Sequence, residues 1–231
     1  MTDRADKKPA TAQLALELPV EAGIGREDLI ESPANRMAID LIDHWPDWPS
    51  RVIVLAGPVG SGKSHIAAVW AHQTGAATVE AANLADDPMA ASRSHLVIEN
   101  AAAGEIDEEA LFHAFNQARG AGHFLLITSR SFPASWNLTL PDLISRLRLA
   151  HLVELQEPDD SLLTGLIVKL FADRQLDVSP RTVAYLVTRM ERSMAVANRI
   201  VAWLDREALA RGRKINRALA AEALAEFERR G

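Results

Sequence analysis

The sequence predicts an α/β fold with a parallel sheet, followed by a small all-helical lid domain. Between residues 51 and 157, short and nearly continuous apolar runs alternate with stretches of helical apolar spacing, which is typical of a parallel sheet covered on both faces. After Pro158 only the helical spacing continues. A chain of 231 residues can bury one large core and a smaller second one.

Residues 1–22 are predicted to form a disordered tail, because the first twelve are small or charged and lack a periodic apolar pattern. Toward its end, alternating leucines follow a glutamine, and the segment stands apart from any predicted core. The residues of this pattern are Gln13, Leu14, Leu16 and Leu18. Such an isolated pattern predicts a short peptide that becomes ordered on binding a partner.

Residues 23–157 are predicted to form the α/β domain. The predicted strands are 52–56, 78–81, 96–99, 124–129 and 152–155. Helical spacing predicts helices over 63–74 and 107–119, the second with acidic residues in its first turn and Gly120 at its end. Because helices and strands alternate, the connections are those of βαβ units.

Residues 158–231 are predicted to form the helical lid. The four predicted helices are 159–174, 180–192, 194–211 and 218–229. Seven basic residues lie between Arg189 and Lys214, but acidic residues are interleaved with them at helical spacing. This interleaving favours a solvated helix face over a DNA site.

Composition excludes several kinds of site. A net charge of −6 argues against a protein that grips duplex DNA on its own, because neutralising phosphates requires a basic face. Without cysteine there are no disulfides or thiolate zinc sites, so any metal is expected to have oxygen ligands. No segment has the length of a membrane span and the N-terminus has no apolar leader, so a cytoplasmic protein without membrane contact is expected.

The glycine-rich segment 57–64 is the most specific motif. It fits the P-loop pattern G-x-x-x-x-G-K-S, follows a predicted strand and opens a predicted helix. In such a loop the backbone N–H groups bind phosphate, the lysine reaches the terminal phosphates, and the serine ligates Mg²⁺. ADP or ATP with Mg²⁺ is therefore the predicted cofactor. The residues predicted to bind it here are Gly57, Pro58, Val59, Gly60, Ser61, Gly62, Lys63, Ser64 and His65.

Two further strand ends are expected near the phosphates. P-loop hydrolases need one acid to hold Mg²⁺ and usually another to orient water. The third strand ends in Glu99, which is predicted to bind Mg²⁺ together with Ser64, and in Asn100, which cannot act as a base. Intrinsic hydrolysis is therefore expected to be poor. Thr128 and Ser129 end the next strand and are predicted to contact the nucleotide, with stabilisation of a turn as the equal alternative.

Together these segments resemble the AAA+ module of the bacterial replication initiator DnaA, and most closely its shortened regulatory relatives of the Hda type. The resemblance runs from about Glu31 to the C-terminus. Besides the P-loop, the resemblance rests on four short segments of the sequence. They are residues 31–36, residues 127–129 followed by Pro133, residues 145–147, and residues 153–155 followed by Pro158. After the lid the chain leaves no room for the helix-turn-helix domain of DnaA, which favours the shortened relatives.

The resemblance implies a negative regulator of replication initiation. Gln13, Leu14, Leu16 and Leu18 are similar to the peptide by which such proteins bind the sliding clamp, the β subunit of DNA polymerase III. DnaA is the second implied partner, DNA is reached indirectly through the clamp, and a homo-oligomer is an open possibility. Arg146 resembles the catalytic arginine that the family extends toward the ATP of a neighbouring subunit. The chain is thus implied to promote hydrolysis by DnaA more than its own.

Departures from the family pattern leave alternatives open. The position where the family has a lid arginine near the phosphates is Ala195, with Arg192 or Arg199 as substitutes. A DnaA-like or helicase-loader-like ATPase acting on single-stranded DNA is the first alternative, although a basic stripe is missing. A P-loop kinase of small molecules is the second, although no cluster of acids or arginines for an acceptor is apparent.

Overall fold

A computed structural model describes residues 25–102 and 106–229. In these ranges the chain forms a three-layer α/β/α domain followed by four helices, as the sequence predicts. The clamp-like segment 13–18 lies outside the described residues. Within the described ranges, no helix combines the length and apolar character needed to span a membrane.

Five strands form one parallel sheet in the order β2-β3-β4-β1-β5. The strands are β1 Val52–Ala56, β2 Ala77–Glu80, β3 Leu96–Ala101, β4 Leu125–Ser129 and β5 His151–Glu154. All five predicted strands are confirmed, with small shifts at their ends. Because β1 lies inside the sheet between β4 and β5, the loop that follows it opens at the carboxyl edge, where open α/β sheets bind ligands.

Helices cover both faces of the sheet. They are α1 Arg36–Asp43, α2 Lys63–Thr74, α3 Ala90–Arg93, α4 Glu108–Ala121 and α5 Pro141–Leu147. Successive strand side chains point to opposite faces, so Ile53 packs with α1 and α2 whereas Val54 packs with α3, α4 and α5. Helix α4 ends two residues later than predicted, because Gly122, with φ 76°, takes the left-handed capping conformation expected of Gly120.

The last four helices form a bundle with a core of its own. They are α6 Asp160–Asp173, α7 Pro180–Val187, α8 Met194–Arg211 and α9 Arg217–Glu228, and together they are called the helical bundle below. Each begins at a capping side chain that accepts a first-turn N–H. Helix α7 is five residues shorter than predicted, because Ser193 must be extended to cap α8 and the chain turns before it.

Candidate functional site

The loop between β1 and α2 has the backbone of a phosphate cradle. Gly60 and Gly62 have φ angles of 79° and 97°, in the left-handed region where L side chains are strained. Gly62 is also the N-cap of α2 and has no side chain to occupy the first-turn N–H groups. These groups and the positive end of the helix dipole therefore face the loop.

Lys63, the first residue of α2, is held against this loop. Its Nζ donates to the carbonyl oxygens of Gly57 at 2.8 Å and Pro58 at 2.7 Å. Burial lowers the pKa of Lys63, and the positive charge of Arg130 lowers it further, while Glu99 opposes the shift. The ammonium group is thus half-buried at the loop, where an anion can take the place of the two carbonyl groups.

Ser64 and Glu99 come together as the sequence predicts. Ser64 Oγ donates to Glu99 Oε2 at 2.6 Å, although β4 separates β3 from β1 in the sheet. Mg²⁺ prefers oxygen ligands and commonly takes only one or two from the protein. This pair therefore fits Mg²⁺, while the described residues hold no cluster of three or more His, Asp or Glu side chains suited to a metal.

A β-bulge in β3 turns Asn100 away from Glu99. The register with β4 shifts between Ile98 and Ala101, and Asn100 has a φ of 59°. Its Nδ2 donates to Glu80 Oε2 at 2.9 Å, at the end of the neighbouring strand β2. Asn100 still lines the cavity described below, but its amide has no basic atom to offer a water molecule.

Thr128 and Ser129 are buried, and their hydroxyl groups are bonded within the protein. Thr128 Oγ1 accepts from Asn100 N at 3.1 Å, and Ser129 Oγ donates to Ala101 O at 2.5 Å. Neither residue lines the cavity; the next residue, Arg130, does so and is exposed. The sequence pattern did not single out Arg130 as a residue of the cavity. The signal that could have indicated it is its position directly after the predicted strand 124–129, at the carboxyl edge of the sheet.

A cavity of about 360 Å³ lies between the loop and the helical bundle. The α/β domain contributes Val59, Gly60, Gly62, Lys63, Ser64, His65, Asn100 and Arg130, and the bundle contributes α6 and α8. Met194 N donates to Gly60 O at 2.9 Å, and a Cβ on Gly60 would lie 2.1 Å from Ser193 Oγ. The start of α8 therefore rests directly on the P-loop.

After Met194 in the sequence, Ala195 and Asn198 are the described residues of α8 that line this cavity. Arg192 instead pairs with Asp160 at 2.8 Å, and the Arg199 guanidinium lies 5.7 Å from the ring centre of Phe227. Neither arginine lines the cavity. Among the described residues, Arg130 on the sheet side is the arginine that lines the cavity.

An ion pair at the edge of the cavity connects Asp28, which precedes α1, with the helical bundle. Lys169 of α6 lies 2.8 Å from Asp28 and 3.0 Å from Asp173, and all three line the cavity. The bond from Lys169 lowers the pKa of Asp28. Burial lowers the pKa of the nearby His65, against the charge of Asp28, so His65 favours the neutral form.

Arg146 lies on α5, away from this cavity. Its guanidinium carbon is 5.0 Å from the ring centre of Phe112 on α4. With Arg51 and His123, it lines a second cavity of about 590 Å³ near the amino ends of β1 and β4. The structure thus does not bring Arg146 to the P-loop of its own chain.

Comparisons with known proteins agree with this architecture. No sequence-family profile matches the chain. It is 29% identical over 103 residues to an uncharacterized protein of Haemophilus influenzae, a match that spans 44% of this chain and 45% of that relative. The chain therefore covers less than half of that relative's length.

Solved structures give broader matches. Domain III of DnaA from Thermotoga maritima is similar with a TM-score of 0.75 and 16% identity over 88% of this chain and 96% of that one. AMPPCP-bound DnaA from Aquifex aeolicus is similar with a TM-score of 0.65 and 18% identity, and the match covers 90% of this chain and 69% of that one. A RuvB variant of Thermotoga maritima is similar with a TM-score of 0.70 and 15% identity, and the match covers 90% of this chain and 74% of that one. The chain thus has the AAA+ fold of DnaA domain III.

Proposed function

We propose that this chain is a AAA+ regulator that binds ADP or ATP, attaches to the sliding clamp, and promotes hydrolysis of the ATP bound to DnaA. The observation that carries the proposal is a phosphate site whose hydrolytic part is incomplete. Lys63 contacts the loop and Ser64 donates to Glu99, which supports phosphate and Mg²⁺ binding, whereas the residue after Glu99 is Asn100 and not a second acid. Such a site retains a nucleotide better than it turns it over.

In this proposal the N-terminus of α2, Lys63 and Arg130 bind the phosphates, and Ser64 with Glu99 holds Mg²⁺. Arg130 is exposed and has no ion pair within the described part of the chain, so its charge is available to a phosphate. Bound Mg²⁺ would neutralise phosphate charge. The bundle covers the site through the contact between Met194 and Gly60.

We expect Lys63→Ala and Arg130→Ala to weaken binding of ADP and ATP about 10- to 100-fold each, because each removes charge-assisted bonds worth about 1.5–3 kcal/mol. Isothermal titration calorimetry measures the change. Arg192→Ala is the matched control, since this arginine is paired with Asp160 outside the cavity, and it should bind like the parent. A parent protein that binds neither nucleotide removes the cofactor from the proposal.

Hydrolysis of ATP by the isolated protein is expected to be far slower than about 1 s⁻¹. Asn100→Asp should not restore it, because the bulge directs this side chain to Glu80, and two carboxylates there would repel each other. Phosphate release under multiple turnover provides the measurement. A parent rate in the ordinary ATPase range would mean that another residue supplies the base.

The regulatory part of the proposal is tested with DnaA. DnaA loaded with labelled ATP is mixed with the protein, with and without clamp loaded on DNA, and ADP formation is followed. We expect acceleration only when clamp, DNA and this protein are all present. If single-stranded DNA instead stimulates hydrolysis by this protein alone, it is the helicase-loader-like ATPase and the regulatory proposal fails.

A further inference from the structure

A groove of about 620 Å³ runs between α7 and α9, on the two helices of the bundle that do not line the nucleotide cavity. Three exposed arginines line it: Arg181 in α7, Arg189 just after α7, and Arg217 at the start of α9. No acidic side chain is among the described residues that line it. In a chain of net charge −6, this is an unusual local excess of positive charge.

These guanidinium groups lack carboxylate partners in the ranges that the structure describes. Arg189 donates to Thr188 Oγ1 at 2.9 Å and lies 4.3 Å from the ring centre of Tyr185, and Arg217 lies 4.7 Å from the same ring. By contrast, Arg211 in the same bundle pairs with two glutamates. Within the described part of the chain, the positive charge of the groove is therefore not neutralised by carboxylates.

The polar side chains at the ends of the groove already form hydrogen bonds within the protein. Ser179 and Asn216 accept first-turn N–H groups as the caps of α7 and α9. The charged donors among the described lining residues are the arginines, whose planar guanidinium groups bind phosphate oxygens in pairs. Arginine also keeps its charge at any physiological pH.

Tyr185 argues against a single-stranded ligand. Proteins that bind single strands offer aromatic rings on which bases stack. The ring of Tyr185 is instead in contact with two cations, so it does not present an open face to a base. A ligand whose bases remain stacked inside, and which exposes phosphates only, suits the groove better.

We propose that this groove binds the phosphate backbone of duplex DNA without reading its sequence. Three phosphate contacts give weak binding, with a slope of about −2.7 in log K against log salt. Weak binding agrees with the acidic net charge, and it becomes effective when a second attachment holds the protein near DNA. The groove does not depend on nucleotide, clamp or DnaA, so its failure leaves the function proposed above unaffected.

The test measures fluorescence anisotropy of a labelled short duplex with the full chain at several salt concentrations. The triple variant Arg181→Ala, Arg189→Ala, Arg217→Ala should lose the binding seen at low salt. Each single substitution should reduce the salt slope by about 0.9. All three side chains are exposed, so folding should be unaffected, which circular dichroism checks.

The matched control carries Arg93→Ala, Arg211→Ala and Arg229→Ala, which change the net charge equally but remove arginines already paired with carboxylates. It should bind like the parent. Equal loss in the control would show that net charge, not the groove, attracts DNA. Tighter binding of single strands, or equal competition by polyglutamate, would also overturn the proposal, the latter in favour of an acidic protein surface.

Discussion

Replacing Arg146 by alanine is expected to lower clamp-dependent hydrolysis of DnaA-bound ATP by roughly 10³–10⁵, the range found when an arginine finger is removed. A guanidinium group stabilises the charge that develops on the transferred phosphoryl group, and it cannot be replaced by a neutral side chain. Because Arg146 does not line the cavity of its own chain, nucleotide binding by the variant should not change. The assay follows ADP formed on DnaA.

Helix α4 holds Arg146 in place through two contacts. The Glu108 carboxylate accepts Thr139 N at 2.9 Å and Leu140 N at 2.7 Å, which fixes the chain where α5 begins, and Phe112 lies beneath the guanidinium. These backbone bonds lower the pKa of Glu108. The anchor is therefore complete above the ordinary carboxyl pKa and is lost as the pH falls through the lowered one.

Arg148→Ala is the matched control, because Arg148 is an exposed arginine two residues away. Its loss should change the stimulated rate little. Phe112→Leu should give an intermediate loss, since it keeps a partly buried apolar side chain on α4 but removes the ring beneath the guanidinium. If the Arg146 variant stimulates DnaA as well as the parent, Arg146 is a surface residue and another group completes the site.

The triple variant Gln13→Ala, Leu16→Ala, Leu18→Ala is expected to abolish clamp association. Truncating an anchor of a short peptide typically costs about 2 kcal/mol or more, so the loss of three should move binding beyond detection. The melting temperature should not change, because the sequence places this segment outside the predicted core. Surface plasmon resonance with immobilised clamp measures the loss.

Two controls sharpen this result. Glu17→Ala lies in the same segment on the alternate side of its apolar pattern and should bind like the parent. A synthetic peptide of residues 10–20 should compete with the full chain for the clamp. Undiminished binding by the triple variant would place the attachment elsewhere in the chain.

Local patterns were enough to predict the fold and the phosphate loop. Strand alternation, helical spacing and the P-loop motif each depend on neighbours in sequence, and in the structure Lys63 contacts the loop while Ser64 contacts Glu99. Features that depend on tertiary packing were not predictable. Thr128 was expected at the phosphates, but its hydroxyl accepts from the bulge of β3, and a bulge has no clear sequence signal.

The basic groove shows the same limit. Along the sequence, Arg189 and its neighbours alternate with acids and indicate an ordinary solvated surface. Only the packing of α7 against α9 brings Arg181 and Arg217 to Arg189 and leaves the acidic side chains elsewhere. Charge spacing within one helix therefore could not reveal a surface built from two helices.

The hydrogen bond from Met194 N to Gly60 O joins backbone to backbone, so among substitutions only proline at position 194, which has no N–H, would delete it. Gly60 cannot be replaced by a larger residue without a shift of the backbone, because a Cβ at this position would collide with Ser193. A displacement of the loop is therefore expected to move the first turn of α8. The position of the P-loop and the position of α8 are therefore connected by a contact that the backbone alone makes.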